Sequence, residues 1–198
     1  MINIAVTGGI GAGKTMVTEY LSELGFTVID ADQMSRDMTS AGGKAMPYIL
    51  EHFGPDYINE DGSLNRAAMR DLVFRDPHYK QVLEEGTTKV VLEDIEKIRE
   101  EKSRAGEKAL FFDIPLLFEL HQEDNYDLVW AVSADRELRK QRVMERDGTP
   151  PDMVDLIIGS QSEDEYKTEK ADVVLNNNGS LDDLKAEVRR ALKSVNAL

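Results

Sequence analysis

No cysteine occurs in the 198 residues, which excludes a disulfide framework, a thiolate metal site and a cysteine nucleophile. Histidine is nearly as scarce: the three present, His52, His78 and His121, show no ligand spacing. Basic residues are outnumbered, 24 Lys and Arg against 38 Asp and Glu, and the resulting net charge of −14 argues against general nucleic-acid binding. No apolar run approaches the ~20 residues of a membrane span. The chain enters an apolar run at Ile2, which leaves no room for a signal peptide, so the expected compartment is the cytoplasm. Internal repeats and low-complexity tracts are absent as well. What is there is 41% hydrophobic, enough for a real core, over a length that suits one α/β unit with a large insertion.

The most informative stretch is VTGGIGAGKT, Val6 to Thr15. It follows a short apolar run, Ile2–Val6, that reads as one buried strand. It leads into Met16–Leu24, where Val17, Leu21 and Leu24 recur at helical spacing. Strand, Gly8-x-x-x-x-Gly13-Lys14-Thr15, helix is the context that a P-loop requires. Glycines let the backbone curl so that successive N–H groups face an anion, and the helix start adds unpaired N–H groups and a favourable dipole. Lys14 can reach β- and γ-phosphates, and the Thr15 hydroxyl can ligate Mg²⁺. The alternative, a plain glycine-rich turn, explains neither the lysine nor the hydroxyl. The pattern therefore implies a bound nucleoside triphosphate, which an acidic chain can hold only by concentrating its few cations locally.

Phe26–Ile29 reads as a second strand ending in Asp30-Ala31-Asp32. Ligands of an open parallel sheet lie beyond the carboxyl ends of its strands, and in extended backbone positions 30 and 32 project to the same side. A competing use of such an Asp is to cap a helix beginning near Gln33; this reading gives Asp32 the functional role and leaves Asp30 open. Residues 33–104 then read as a mostly helical insertion. A helix over Gln33–Asp37 carries Arg36; Ala45–His52 is helical, Asn59–Gly62 is a hairpin loop, and Asn65 caps a helix from Arg66 to about Phe74. Asp76-Pro77 starts another helix, running to Arg104 with a charged, solvated end.

The core resumes with Ala109–Asp113, four apolar residues ending in a carboxylate that could hold Mg²⁺, and then with Asp127–Val132. The densest basic cluster follows: Arg136, Arg139, Lys140, Arg142 and Arg146. Arg139, Arg142 and Arg146 share one helical face. A surface helix laced with ion pairs, such as Asp135 with Arg139, would account for them. The charge argument favours phosphate contacts instead. Gly148–Pro151 and a short helix from Asp152 complete a hairpin suited to act as a lid. Ala171–Leu175 reads as the last strand, Asn176–Gly179 as a turn, and Leu181–Leu192 as an amphipathic closing helix. The Asn-Lys-x-Asp signature of guanine specificity is absent.

Taken together, VTGGIGAGKT, VIDAD, HFG, DGSLNRAAMRDLVF, DIPLLFE, the Arg-rich segment, SQ and ADVVLNNNG resemble the dephospho-coenzyme A kinase family, in order and over nearly the whole chain. The resemblance implies an α/β fold: a P-loop NTPase core (1–32, 105–134 and 168–198) whose parallel sheet is flanked by helices, a helical acceptor-binding domain (33–104) and a helical lid (135–167). It implies transfer of the ATP γ-phosphate to the ribose 3′-hydroxyl of dephospho-coenzyme A, with Mg²⁺, by a protein expected to act as a monomer. The other enzyme class to weigh is a further small-molecule kinase on this core, such as a nucleoside monophosphate kinase. A slowly hydrolysing nucleotide switch is the alternative from outside that class. By the resemblance, Asp32, Lys14 and Arg142 are catalytic. Gly9, Ile10, Gly11, Ala12, Gly13, Lys14, Thr15, Met16, Arg142 and Asn177 bind ATP; Asp32, Arg36, Arg66, Arg70, Pro115 and Leu116 bind the acceptor; Thr15 and Asp113 hold the metal. The chain departs from the family at Thr88-Lys89, where a His-Pro pair is common, and at Lys167, where an Arg is frequent.

Overall fold

The computed structural model describes residues 1–197. The apolar run at the N-terminus forms β1 (Ile2–Gly8), and the glycine-rich loop leads into α1 (Lys14–Glu23) and then β2 (Thr27–Asp30). After the insertion come β3 (Ala109–Asp113) and β4 (Leu128–Ser133), whose ends match the apolar runs to within a residue. The five strands lie in the order β2-β3-β1-β4-β5, where β5 is Val173–Asn176, in a parallel sheet. β1 is central, paired from Ile2↔Ala109 to Val6↔Asp113 on one side and from Ile4↔Leu128 to Gly8↔Val132 on the other. This register brings the glycine-rich loop and Asp113 to the same carboxyl edge of the sheet.

Alternation along the strands supplies two buried faces. Ile4, Val6, Phe111 and Trp130 pack against Val17 and Leu21 of α1 and against Leu184, Val188 and Leu192 of α9 (Leu181–Ser194). Ala5, Leu110, Phe112, Val129 and Ala131, which point the other way, are buried too. Ser180 and Asp183 form a reciprocal capping box that starts α9.

The chain divides into two compact units, residues 1–29 with 102–198, and residues 30–101. In the second unit the strand–helix junction differs from the sequence expectation. Asp30 ends the strand and its carboxylate accepts the Gln33 N–H at 2.8 Å, so α2 (Ala31–Met38) begins two residues early. Asp30 and Asp32 are therefore not neighbours on one extended backbone: Asp30 is the cap, and Asp32 stands exposed in the first helical turn. α3 (Met46–Phe53), α4 (Arg66–Arg75) and α5 (Pro77–Arg104) follow, with Asn65 capping α4 through the Ala68 N–H at 3.1 Å. Met38, Met46, Ile49, Leu64 and Met69 form this unit's own core. α5 runs unbroken through Thr88-Lys89. Its buried Gly86 lies so close to the Tyr48 ring that a Cβ there would overlap it, and the Tyr48 hydroxyl donates to the Val82 carbonyl at 3.1 Å.

In the first unit the arginine-rich segment is α6 (Arg136–Asp147), joined by Gly148 in left-handed conformation to α7 (Pro151–Gly159). A further helix, α8 (Asp164–Lys170), was not expected from the sequence, because DEYKTEK offers no apolar period to read. Among the described residues, no helix is long and apolar enough to cross a membrane.

Candidate active site

The loop between β1 and α1 is shaped by its glycines and held from behind. Gly11 (φ 77°) and Gly13 (φ 99°) adopt left-handed backbone that a side chain would strain. Gly13 is the N-cap of α1 and offers no side-chain cap, the arrangement in which a phosphate satisfies first-turn N–H groups. The Ala12 N–H turns back to the Gly9 carbonyl at 3.0 Å, and the Asn177 amide donates to the Ala12 carbonyl at 2.8 Å. The Ile10 N–H donates to Gln161 Oε1 at 2.9 Å, and the Ile10 carbonyl accepts from Arg139 Nε at 2.9 Å.

A cleft of about 580 Å³ opens over this loop, a size suited to a nucleotide. It is lined by Gly9, Ile10, Gly11, Gly13, Lys14, Thr15 and Met16 from the loop side and by Pro115, Arg142, Arg146, Ile157 and Gln161 opposite. Its charged lining is wholly cationic: Lys14, Arg142 and Arg146 face it and no carboxylate does, in a chain of net charge −14. Two of these three cations are themselves paired with carboxylates, Lys14 with Asp113 and Arg146 with Asp147.

Lys14 Nζ is paired with the Asp113 carboxylate at the end of β3, both side chains being about 15% exposed (15% and 14%). Arg142 Nη2 donates to the Asn177 carbonyl at 3.0 Å. Arg146 forms a two-point pair with its neighbour Asp147, at 2.7 Å each. Next in the chain to Gln161, the Ser162 N–H donates to Glu119 at 2.8 Å, and Glu119 pairs with the buried Lys167 at 3.0 Å. Burial pushes the Glu119 carboxyl up, but the Ser162 N–H and the Lys167 ammonium outweigh it and leave its pKa below the ordinary value.

Several residues singled out in the sequence come together here, and others lie elsewhere. Ala12 points into the hydrophobic core and Asn177 is buried, so each borders the loop from behind and not from the cleft. Pro115 lines the cleft, while Leu116 is exposed outside it. Asp32, Arg36, Arg66 and Arg70 belong to the second unit. There Arg36 Nε donates to Gln33 at 3.0 Å, Arg66 Nη2 donates to the Thr39 hydroxyl at 2.6 Å, and Arg70 is exposed. Arg139 differs from the reading of its helix face. It is itself buried and points to the Ile10 carbonyl and to the partly exposed Asp164, not to the Asp135 side chain and not into the cleft. Gln161 is a cleft residue to which the sequence reading gives no role, although it belongs to the SQ pair that carries part of the family resemblance.

The dephospho-CoA kinase family model matches residues 2–183. A dephospho-CoA kinase of Corynebacterium glutamicum is 37% identical over 195 residues, covering 98% of this chain and 100% of that protein. Among solved structures, a Thermus thermophilus protein superposes with a TM-score of 0.69 at 34% identity, covering 99% of this chain and 96% of that one. The dephospho-CoA kinase of Campylobacter jejuni does so with a TM-score of 0.66 at 25% identity, covering 98% and 96%. With a match that runs from the first strand into α9, the chain belongs to the dephospho-CoA kinase family.

Proposed function

We propose that this kinase transfers the γ-phosphoryl group of ATP to the 3′-hydroxyl of the dephospho-coenzyme A ribose, an alcohol acceptor. The observation that carries the reading is the wholly cationic charged lining of the cleft over the glycine-rich loop. Phosphoryl transfer depends on positioning and charge neutralisation more than on covalent chemistry. The loop from Gly9 to Met16 cradles the phosphates with those of its amides that are not committed within the protein, and Lys14 follows the charge of the β- and γ-phosphates. Arg142 stabilises the equatorial oxygens as the group moves. Asn177 supports the loop through Ala12. Asp32 orients the acceptor hydroxyl and accepts its proton; its exposed place in the first turn of α2 leaves the carboxylate accessible. Arg36, Arg66 and Arg70, with Pro115 and Leu116, hold the acceptor. The helices of 33–104 form its domain, and the helices of 135–167 form a lid that excludes water.

The oxygen donors Thr15 and Asp113 fit Mg²⁺, a hard cation usually held by one or two protein oxygens together with substrate phosphates. Among the described residues no cluster of three or more His, Cys, Asp or Glu side chains able to hold a metal ion is present. When bound, the ion neutralises charge on the β- and γ-oxygens.

ADP release measured with and without dephospho-coenzyme A, and against a panel of nucleoside monophosphates, tests the proposal. Release that depends on dephospho-coenzyme A, with a product heavier by one phosphoryl group, is the expected result. Acceptor-independent release, or a preference for a monophosphate, would overturn it.

A further inference from the structure

We propose that Arg139, which does not itself line the cleft, is a positioning residue for the nucleotide-binding loop and holds the Ile10 carbonyl in place. The inference rests on the reading of that loop as the ATP site. Arg139 is 1% exposed, and its guanidinium divides between two partners. Nε donates to the Ile10 carbonyl at 2.9 Å, and Nη1 pairs with Asp164, the first residue of α8. Nη2 lies against Gly9, where a Cβ would overlap it, and a Cβ at Gly11 would overlap the Arg139 carbonyl in the same way. The other backbone polar group of the same residue, the Ile10 N–H of the preceding peptide, is taken by Gln161, three residues before Asp164.

Ile10 is therefore held by Arg139 and by Gln161, and Arg139 is tied through Asp164 to the segment that carries Gln161, so the contacts draw on three stretches of the chain. Both polar groups of Ile10 are committed in this way and the Ala12 N–H is committed to Gly9, so Gly11, Gly13 and Thr15 are among the amides left to turn toward a phosphate. A buried guanidinium is a poor choice for stability alone, since an apolar side chain of similar volume often serves as well. What the planar fork adds is direction: two partners at a fixed angle define where the Ile10 carbonyl stands. The absence of side chains at Gly9 and Gly11 is what lets α6 approach closely enough to do this.

Titration of the full-length chain with ADP by calorimetry, beside circular dichroism and thermal melting, tests the assignment. Arg139→Met is expected to stay folded and to bind ADP about ten- to a hundredfold more weakly, the scale of a loop displaced by about 1 Å. Arg139→Lys, a point charge able to serve one partner at a time, is expected to recover part of the loss. Asp164→Asn is expected to cost about threefold, because it weakens the fork without emptying the site. A folded Arg139→Met that melts lower but binds ADP as the wild type does would reduce the residue to a structural role and overturn the proposal. If Arg139→Met does not fold, wild-type ADP affinity in Asp164→Asn overturns it instead. ADP binding needs no acceptor, so failure of the wild type to phosphorylate dephospho-coenzyme A would sink the kinase reading and leave this titration interpretable.

Discussion

Arg142 Nη2 donates to the backbone carbonyl of Asn177 at 3.0 Å, while its Nη1 is buried with no hydrogen-bond partner among the described residues. The residue that steadies the loop through Ala12 thus also aims the arginine that lines the cleft. An unspent, oriented donor beside a phosphate site is worth most as charge builds up during transfer. Arg142→Ala should lower kcat by about 10²–10³. Arg142→Lys should recover only part, because the point charge lacks the fork. Steady-state kinetics resolve kcat from the ATP KM; an unchanged kcat in Arg142→Ala would remove the residue from the chemistry.

Asp32→Asn should reduce turnover by about 10²–10⁴, the usual contribution of a general base. The side chain is exposed and Asp30 supplies the cap of α2, so the helix should survive the change. Circular dichroism should match the wild type and the ATP KM should move little. Full activity would assign the proton to another acceptor.

Gly86→Ala is a test of packing whose sign is informative. In an open helix, alanine in place of glycine stabilises by roughly 1 kcal/mol. Here the added methyl meets the Tyr48 ring, and overpacking of this kind costs about 1–3 kcal/mol. Urea denaturation should therefore show a lower midpoint. A raised midpoint would mean that Tyr48 moves aside freely.

Glu119 makes stability depend on pH in a defined direction. Its folded pKa is lowered from an ordinary value of about 4.5, so its contribution is present above that pH and is lost as pH falls through the folded value. The difference in melting temperature between wild type and Glu119→Gln should be largest near neutral pH and shrink below about pH 4.5. A difference that stays constant from pH 7 to 3.5 would mean that the carboxylate charge contributes nothing.

The parts of the site legible in the sequence are those whose chemistry is local. Gly8 to Thr15 carry loop, charge and helix start within ten residues of Val6, and Ala109–Asp113 announces both its strand and its terminal carboxylate. Asn65 and Asp76-Pro77 mark helix starts for the same reason. What could not be read is what depends on distant partners. Gln161 and Arg139 reach Ile10 across 151 and 129 residues, and no spacing rule spans such separations. The helical periodicity correctly grouped Arg139 with Arg142, yet periodicity does not say which member of a face meets the interior. α8 escaped because its one large apolar side chain, Tyr166, makes no stripe. At Asp30, two local rules competed, and capping prevailed over strand continuation.

The pairing of Lys14 with Asp113 bears on which ligands the loop will accept. A bare anion that drew the ammonium away would abandon a half-buried carboxylate next to fresh negative charge, and most of the gain would be cancelled. On the proposed reading, a nucleotide accompanied by its own divalent cation would offer both residues a substitute at once: phosphate for the lysine, cation for the aspartate. That swap would conserve charge on each side, and the resting ion pair would then serve as a counterfoil, released by a visitor that presents both halves.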